Sequence, residues 1–325
     1  MRHLLQRHAL PIAAHLEASL VLAYALPAAA LQPLLPPGLT LDTFGDFGFL
    51  AVALVETREL RPAFVPAKLG MNFFLSGYRV FTRYKTTAGR TLRGLRILRS
   101  DTDKLSMQLF GNLLTHYHYE RSRCHVQRTE QSYTVEVRTP GGRADLSVEA
   151  DVSQQSVSLP AGSPFSDFRE ARKFAGPLPF TFDYERETNS IIRVEGVRQQ
   201  WNPRPVNVTV HKNAFLEQDR FRSAGAVLAN SFFLENGPYA WRAALDGAGA
   251  KYGIHALELF VRTLKQDLSA VEAAVTEPWS NGPVEGHINR LKTLKRQMYG
   301  RAGVELLRAR LLPESVFSSQ LLHQN

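Results

Sequence analysis

Cysteine is all but missing from this chain of 325 residues: Cys124 is the only one. A single thiol excludes a disulfide framework and a cysteine-rich zinc site, and it fits a reducing cytoplasm, where we expect the protein. A long uninterrupted apolar run is also absent. The stretch from Leu10 to Leu35 is rich in Ala and Leu, but His15, Glu17 and Gln32 interrupt it and Pro11, Pro27 and Pro33 punctuate it. A membrane-crossing helix needs about 20 apolar residues with few or no charges, so we expect no membrane span. Adjacent lysines are lacking throughout. Acidic residues are scarce near the C-terminal end: seven Lys and Arg against Glu285 and Glu305 lie between Trp279 and Leu312, in a chain of formal net charge +9. A local basic cluster suits a polyanion partner or, more plainly, a solvated helix face.

What is present reads as β up to about residue 240. Tyr133 to Arg138 alternates polar and apolar, turns at Pro140-Gly-Gly142 and resumes through Leu146, Val148 and Ala150. Tyr78 to Tyr84 is expected to pair with Leu92 to Leu98 across Ala88-Gly89. Val194 to Val197, the turn Asn202-Pro-Arg-Pro205 and Val206, Val208 and Val210 make a third strand–turn–strand pattern. Ala28 to Leu35 is the first expected helix, stopped by Pro36-Pro37-Gly38. Repeated short strands with Gly and Pro turns imply an antiparallel β-rich sandwich or barrel.

The period then changes. Ile254, Leu257, Val261, Leu264, Leu268, Val271 and Val275 recur at alternating steps of 3 and 4, one amphipathic helix ended by Pro278. The fold class is therefore α+β, with a β-rich domain over 1–240 and a helical segment over 241–325. A second helix opens after Gly282-Pro283, with Glu285, Asn289, Lys292 and Arg296 on one stripe. A carboxylate beside cations and an amide suits metal-dependent phosphoryl transfer on DNA, or a helix cap among solvated charges.

The run Trp279-Ser-Asn-Gly-Pro-Val-Glu-Gly-His-Ile-Asn-Arg-Leu-Lys292, continued to Ala302 and followed by Leu306 to Leu311, resembles the end of the DDE domain of ISL-type insertion-sequence transposases. The likeness covers about residues 245 to 313. It implies that Glu285 is the third acid of a metal-binding triad and that Asn289, Arg290, Lys292, Lys295, Arg296 and Arg301 face DNA. The family's two catalytic aspartates should precede this segment, and β-rich sequence of another kind stands there instead. Mg2+ or Mn2+ would be expected only with a complete triad, so no cofactor is assigned and no transposition by this chain alone is expected.

Leu26-Pro-Ala-Ala-Ala-Leu-Gln-Pro-Leu-Leu-Pro-Pro-Gly-Leu39, Gly77 to Tyr84, Gly94 to Asp101 and Asn112 to Tyr119 together resemble the bacterial DUF2071 domain of the acetoacetate decarboxylase-like superfamily, over residues 8 to 242. The resemblance implies a β-rich, barrel-like fold around a pocket for an unidentified small molecule. Decarboxylation in that superfamily uses a Schiff-base lysine whose pKa a second lysine lowers, and Lys68, Lys85, Lys104, Lys173 and Lys212 are all isolated. Alternation places Arg93 and Arg99 on one side of a strand and Arg96 on the other, where an inward arginine can hold a carboxylate or phosphate and an outward one is solvated. His116 and His118 share a side if Leu114 to Tyr119 is a strand, with His125 near, as metal ligands or as structural histidines; no metal is assigned.

The reading is a chimera, a pocketed β domain fused to a truncated transposase tail, as insertion of a mobile element near the end of a gene would produce. The alternatives are a transposase-derived DNA-binding protein and an enzyme acting on small carboxylates.

Overall fold

The computed structural model describes residues 2–153, 157–198, 202–245, 255–276, 288–289, 291–293 and 296. In chain order the strands are β1 (Ile12–Pro27), β2 (Leu39–Leu41), β3 (Phe47–Pro62), β4 (Met71–Lys85), β5 (Thr91–Thr102), β6 (Tyr119–Arg121), β7 (Arg123–Arg128), β8 (Ser132–Arg138), β9 (Leu146–Asp151), β10 (Phe180–Glu185), β11 (Ser190–Arg198), β12 (Arg204–Pro205), β13 (Asn207–Asn213) and β14 (Val227–Trp241). The helices are α1 (Arg2–Leu5), α2 (Ala28–Leu31), α3 (Leu105–Leu114), α4 (Phe168–Ala175), α5 (Asp219–Arg222), α6 (His255–Gln266) and α7 (Leu268–Thr276).

The large sheet runs β2-β4-β3-β1-β14-β11-β10-β5-β6, with β12 beside β14. Because β5 pairs with β4 as well as with β10, the sheet curls round on itself, through short pairings rather than as a regular closed barrel. The smaller sheet, β13-β9-β8-β7, is antiparallel throughout. Its Tyr133, Val135, Val137 and Val148 meet Leu20, Leu22, Val52 and Tyr78 of the large sheet in a fully buried core.

Strand alternation divides the large sheet between two apolar environments. On β4, Phe74, Tyr78 and Val80 enter the core against the smaller sheet, while Phe73, Leu75, Arg79 and Phe81 face the opposite, hollow side. On β3, Leu50, Val52 and Leu54 take the first side and Ala51, Ala53 and Val55 the second. Both faces of β1 are covered in the same way, which explains the Ala- and Leu-rich stretch: it is a central strand buried on two sides, a setting that favours continuous apolar sequence.

Several local expectations need correction. The sheet is mixed, since β5 runs parallel to both β10 and β6. Gly94 makes the first of these contacts possible: a Cβ there would lie 2.5 Å from the Phe182 ring and 2.7 Å from the Phe180 carbonyl oxygen. Residues 194–210 form no hairpin, because β11 pairs with β10 and β14 whereas β13 joins the smaller sheet. Leu114 to Tyr119 is not a strand; α3 ends at Leu114, and only Tyr119 enters β6. The single amphipathic helix is broken between α6 and α7 at Asp267, a residue type that competes with the helix interior and favours a helix start.

The chain divides into compact units Met1–Lys265 and Gln266–Asn325. Within α6 Val261 and Leu264 are half-buried while Arg262 and Lys265 are exposed, and in α7 Leu268 is half-buried; Ile254 of the expected face lies outside the described residues. Among the described residues no helix is long and apolar enough to cross a membrane.

Candidate functional site

The hollow side of the large sheet holds a partly open cavity of about 440 Å³. Small side chains create it. Ser19 of β1, Ala51 and Ala53 of β3 and Ser100 of β5 stand where larger residues would fill the space. Apolar groups close the sides, among them Phe73, Phe81, Ile97 and Trp241. Helix α3 covers one end with Met107, Phe110 and Leu114, and it sits close enough that a Cβ on Gly111 would lie 2.4 Å from the Tyr119 ring. The other side of α3 carries exposed Leu105, Leu109 and Leu113.

The polar groups in this apolar setting are few. Arg61, Arg79 and Arg198 are the cations; no Asp, Glu, Lys or Cys lines the cavity among the described residues. Arg61 donates to the carbonyls of Val65 and Glu59 at 2.9 and 2.7 Å. Arg198 donates to the carbonyls of Pro177 and Leu178 and lies 5.5 Å over the Tyr239 ring. Arg79 differs in that no side-chain hydrogen bond of it is seen among the described residues; its Nε is shielded from solvent without an acceptor, a state the Nε of Arg198 shares although Arg198 is bonded through its other nitrogens. His8 also faces the cavity with an unpartnered Nε2, its ring 4.9 Å from that of Tyr117. Burial, with a smaller contribution from nearby His116, lowers its pKa to about 4, so the imidazole is neutral near pH 7. Burial likewise pushes the Tyr119 hydroxyl up to about 12.

The three arginines singled out from sequence are bound elsewhere. Arg93 contacts Asp42 at 2.5 Å, donates to the Phe174 carbonyl at 2.8 Å and covers the Phe174 ring at 4.6 Å. Arg96 pairs with Asp183, and burial lowers its pKa. Arg99 contacts Asp101 and Glu120, both at 2.7 Å. None of the three lines the cavity. Their sides also differ from simple alternation, because Tyr78 pairs with Arg99 but Arg79 with Ile97. The extra residue, Leu98, is a bulge that returns Arg99 to the side of Arg96 and aims Ser100 into the cavity.

The histidines do not converge. His116 is half-buried with an unpartnered Nε2 and a pKa lowered by burial. His118 is exposed at φ 50°, and His125 lies exposed on β7 beside Gln127. No cluster of three metal-ligating side chains occurs among the described residues. In the tail, Asn289, Lys292 and Arg296 are exposed on helical backbone; Glu285, Arg290, Lys295 and Arg301 lie outside the described residues.

Sequence comparison places this architecture. Residues 13–234, more than half of the chain, match DUF2071, described as an uncharacterized conserved protein. The chain belongs to the DUF2071 family. Residues 236–311 match a transposase family of the ISL3 type, so the DUF2071 domain is fused to an ISL3-type transposase fragment. No curated protein matches. Among solved structures, the chain is similar to an acetoacetate decarboxylase from Legionella pneumophila at 12% identity and TM-score 0.48, covering 72% of this chain and 86% of that one. It is also similar to an acetoacetate decarboxylase-like enzyme from Sphingomonas wittichii at 14% identity and TM-score 0.48, over 74% of this chain and 94% of that one. A third is the enduracididine biosynthesis enzyme MppR complexed with pyruvate, at 12% identity and TM-score 0.48, over 74% and 91%.

The feature that sequence reasoning missed is Arg79. It lies inside the Gly77 to Tyr84 motif, and its signal is an arginine at period 2 among Phe73, Leu75 and Phe81. An isolated charge on an otherwise apolar strand face calls for a partner.

Proposed function

We propose that the DUF2071 domain is a small-molecule-binding module whose ligand occupies the cavity beneath α3. The observation that carries this reading is the volume: about 440 Å³ in one partly open, largely apolar space with a few convergent polar groups. Ligand pockets commonly measure about 300–1,000 Å³ and have this composition. Binding is favoured over amine catalysis because a Schiff base needs a primary amine at the substrate carbonyl, and the groups here are guanidinium, imidazole, hydroxyl and indole. The single cysteine supports a cytoplasmic setting, and burial pushes its thiol up to about 11, which leaves it unreactive.

A neutral apolar probe tests the cavity. Decan-1-ol at about 100 times its Kd should stabilise the protein by roughly 2.7 kcal/mol in thermal unfolding. Ala53→Phe places a ring in the hollow beside Leu16, Val55 and Tyr239 and should abolish that gain in a protein that still unfolds cooperatively. No stabilisation of the wild type would sink the proposal.

A second reading concerns the tail. Exposed Asn289, Lys292 and Arg296 at steps of 3 and 4, within the transposase match, support weak DNA binding through phosphates. Gel shifts at low salt should show it, and Lys292→Ala with Arg296→Ala should reduce both the affinity and the salt slope by about two counterions' worth. Retention unchanged by the double substitution would reject it. Transposition by this chain alone is not proposed, for want of the two aspartates.

A further inference from the structure

Arg79 is a guanidinium inserted into an apolar chamber with nothing of opposite charge beside it. On β4 it follows Gly77, where a Cβ would lie 3.6 Å from Arg79 Nε and 3.7 Å from Nη2, so the side chain folds back along the strand and over the glycine. No carboxylate lines the cavity among the described residues, and Nε has no acceptor. The nearby hydroxyls of Tyr117 and Tyr119 supply no counter-charge, because burial raises both pKa values and keeps the groups neutral. Shielding the Arg79 Nε from water without an acceptor is unfavourable, and a bound anion with matching oxygens would satisfy it.

We propose that the cavity takes an organic monocarboxylate with a long apolar body, the carboxylate held by Arg79 and the body lying against Phe73, Phe81 and Ile97. This rests on the small-molecule reading above and names its ligand class. Arg61 and Arg198 already donate to main-chain carbonyls, whereas no side-chain hydrogen bond of Arg79 is seen among the described residues, which makes Arg79 the anchor for a single carboxylate. The planar fork of an arginine fits the two oxygens of a carboxylate. The size follows from the volume, since about 440 Å³ at ~30 Å³ per water-sized group accommodates roughly 15 such groups. A two- or three-carbon keto acid would leave most of that space empty. His8 presents an unpartnered Nε2 to the same chamber and is placed to hydrogen-bond a ligand.

Calorimetric titration of the full chain with decanoate, decan-1-ol and pyruvate decides the matter. Decanoate should bind at least about tenfold tighter than decan-1-ol, and pyruvate more weakly than either. Arg79→Met should weaken decanoate by roughly 10- to 100-fold, the range expected for a hydrogen-bonded charge, and should leave decan-1-ol within about threefold. Arg79→Lys, which keeps the charge without the fork, should fall between. Retained alcohol binding certifies that each variant is folded; should Arg79→Met fail to fold, the wild-type comparison of acid with alcohol still decides. Equal affinity for acid and alcohol, or decanoate binding indifferent to Arg79→Met, overturns the carboxylate assignment and leaves the cavity reading intact. Failure of every probe to bind overturns both.

Discussion

Replacing Glu185 by alanine should lower the unfolding free energy by about 3–5 kcal/mol, the range seen when one partner of a buried ion pair is removed. Glu185 ends β10 with its side chain fully buried. It receives Arg7 Nε at 2.7 Å on one oxygen and Arg7 Nη2, with the Thr188 hydroxyl, on the other. Arg7 is itself only 15% exposed and lies 178 residues away in sequence, so the pair ties the chain start to the sheet. Alanine removes both carboxylate oxygens that this enclosed guanidinium contacts. The same change at Asp42 should matter less: its partners Arg83 and Arg93 are 44% and 33% exposed and can turn to solvent. Urea unfolding should show a lower midpoint for Glu185→Ala at an unchanged m-value, with Glu185→Gln intermediate because it keeps the acceptor and loses the charge. A loss below about 0.5 kcal/mol would mean that Arg7 reaches water at little cost, contrary to the burial seen.

Acid lability should follow from His8. Its pKa is lowered from 6.5 to about 4 in the folded protein. Above pH 6.5 the imidazole is neutral in both states and contributes nothing to pH dependence. As the pH falls below 6.5 the unfolded chain takes up the proton first, and stability is lost until the folded form also titrates near 4. Relative to His8→Asn, which cannot titrate in this range, the wild type should lose about 2 kcal/mol more between pH 7 and pH 4.5. The carboxylates are common to both proteins and cancel in the difference. His116 packs nearby with its own pKa lowered by burial, so His8→Asn with His116→Asn should flatten the profile further. Parallel stability–pH curves for wild type and His8→Asn would show that the imidazole meets solvent when folded.

Hairpins were legible where one turn closes them. Tyr84 pairs with Leu92 across a Thr-Thr-Ala-Gly stretch, and Val137 with Leu146 across Pro140-Gly-Gly142. Such pairs form between neighbours, and the turn residues carry the information. The reading failed where partners are distant: β11 and β13 follow each other closely yet belong to different sheets. The His116 and His118 side assignment failed because α3 extends to Leu114, where Asn112-Leu-Leu-Thr resembles strand as much as helix over so short a window. The arginines Arg93, Arg96 and Arg99 drew notice as a cluster, but apart from Asp101, two residues from Arg99, their carboxylates Asp42, Asp183 and Glu120 come from three other places in the chain, which no spacing reveals.

By itself the sequence determined the two-part composition, β-rich domain and helical transposase-like tail, because families are carried by local motifs and by a change of period near residue 245. The Ala- and Leu-rich run reads from sequence only as too interrupted to span a membrane; that most of it is a strand buried on both faces came with the fold. Only the tertiary structure decided which face of each strand surrounds empty space. A cavity is the residue of how Ser19, Ala51, Ala53 and Ser100, from three strands, come to oppose one another. A one-residue bulge at Leu98 and a parallel contact made possible by Gly94 set that opposition. Arg79 lay in plain view in the sequence, but its lack of a partner is a property of the folded chain.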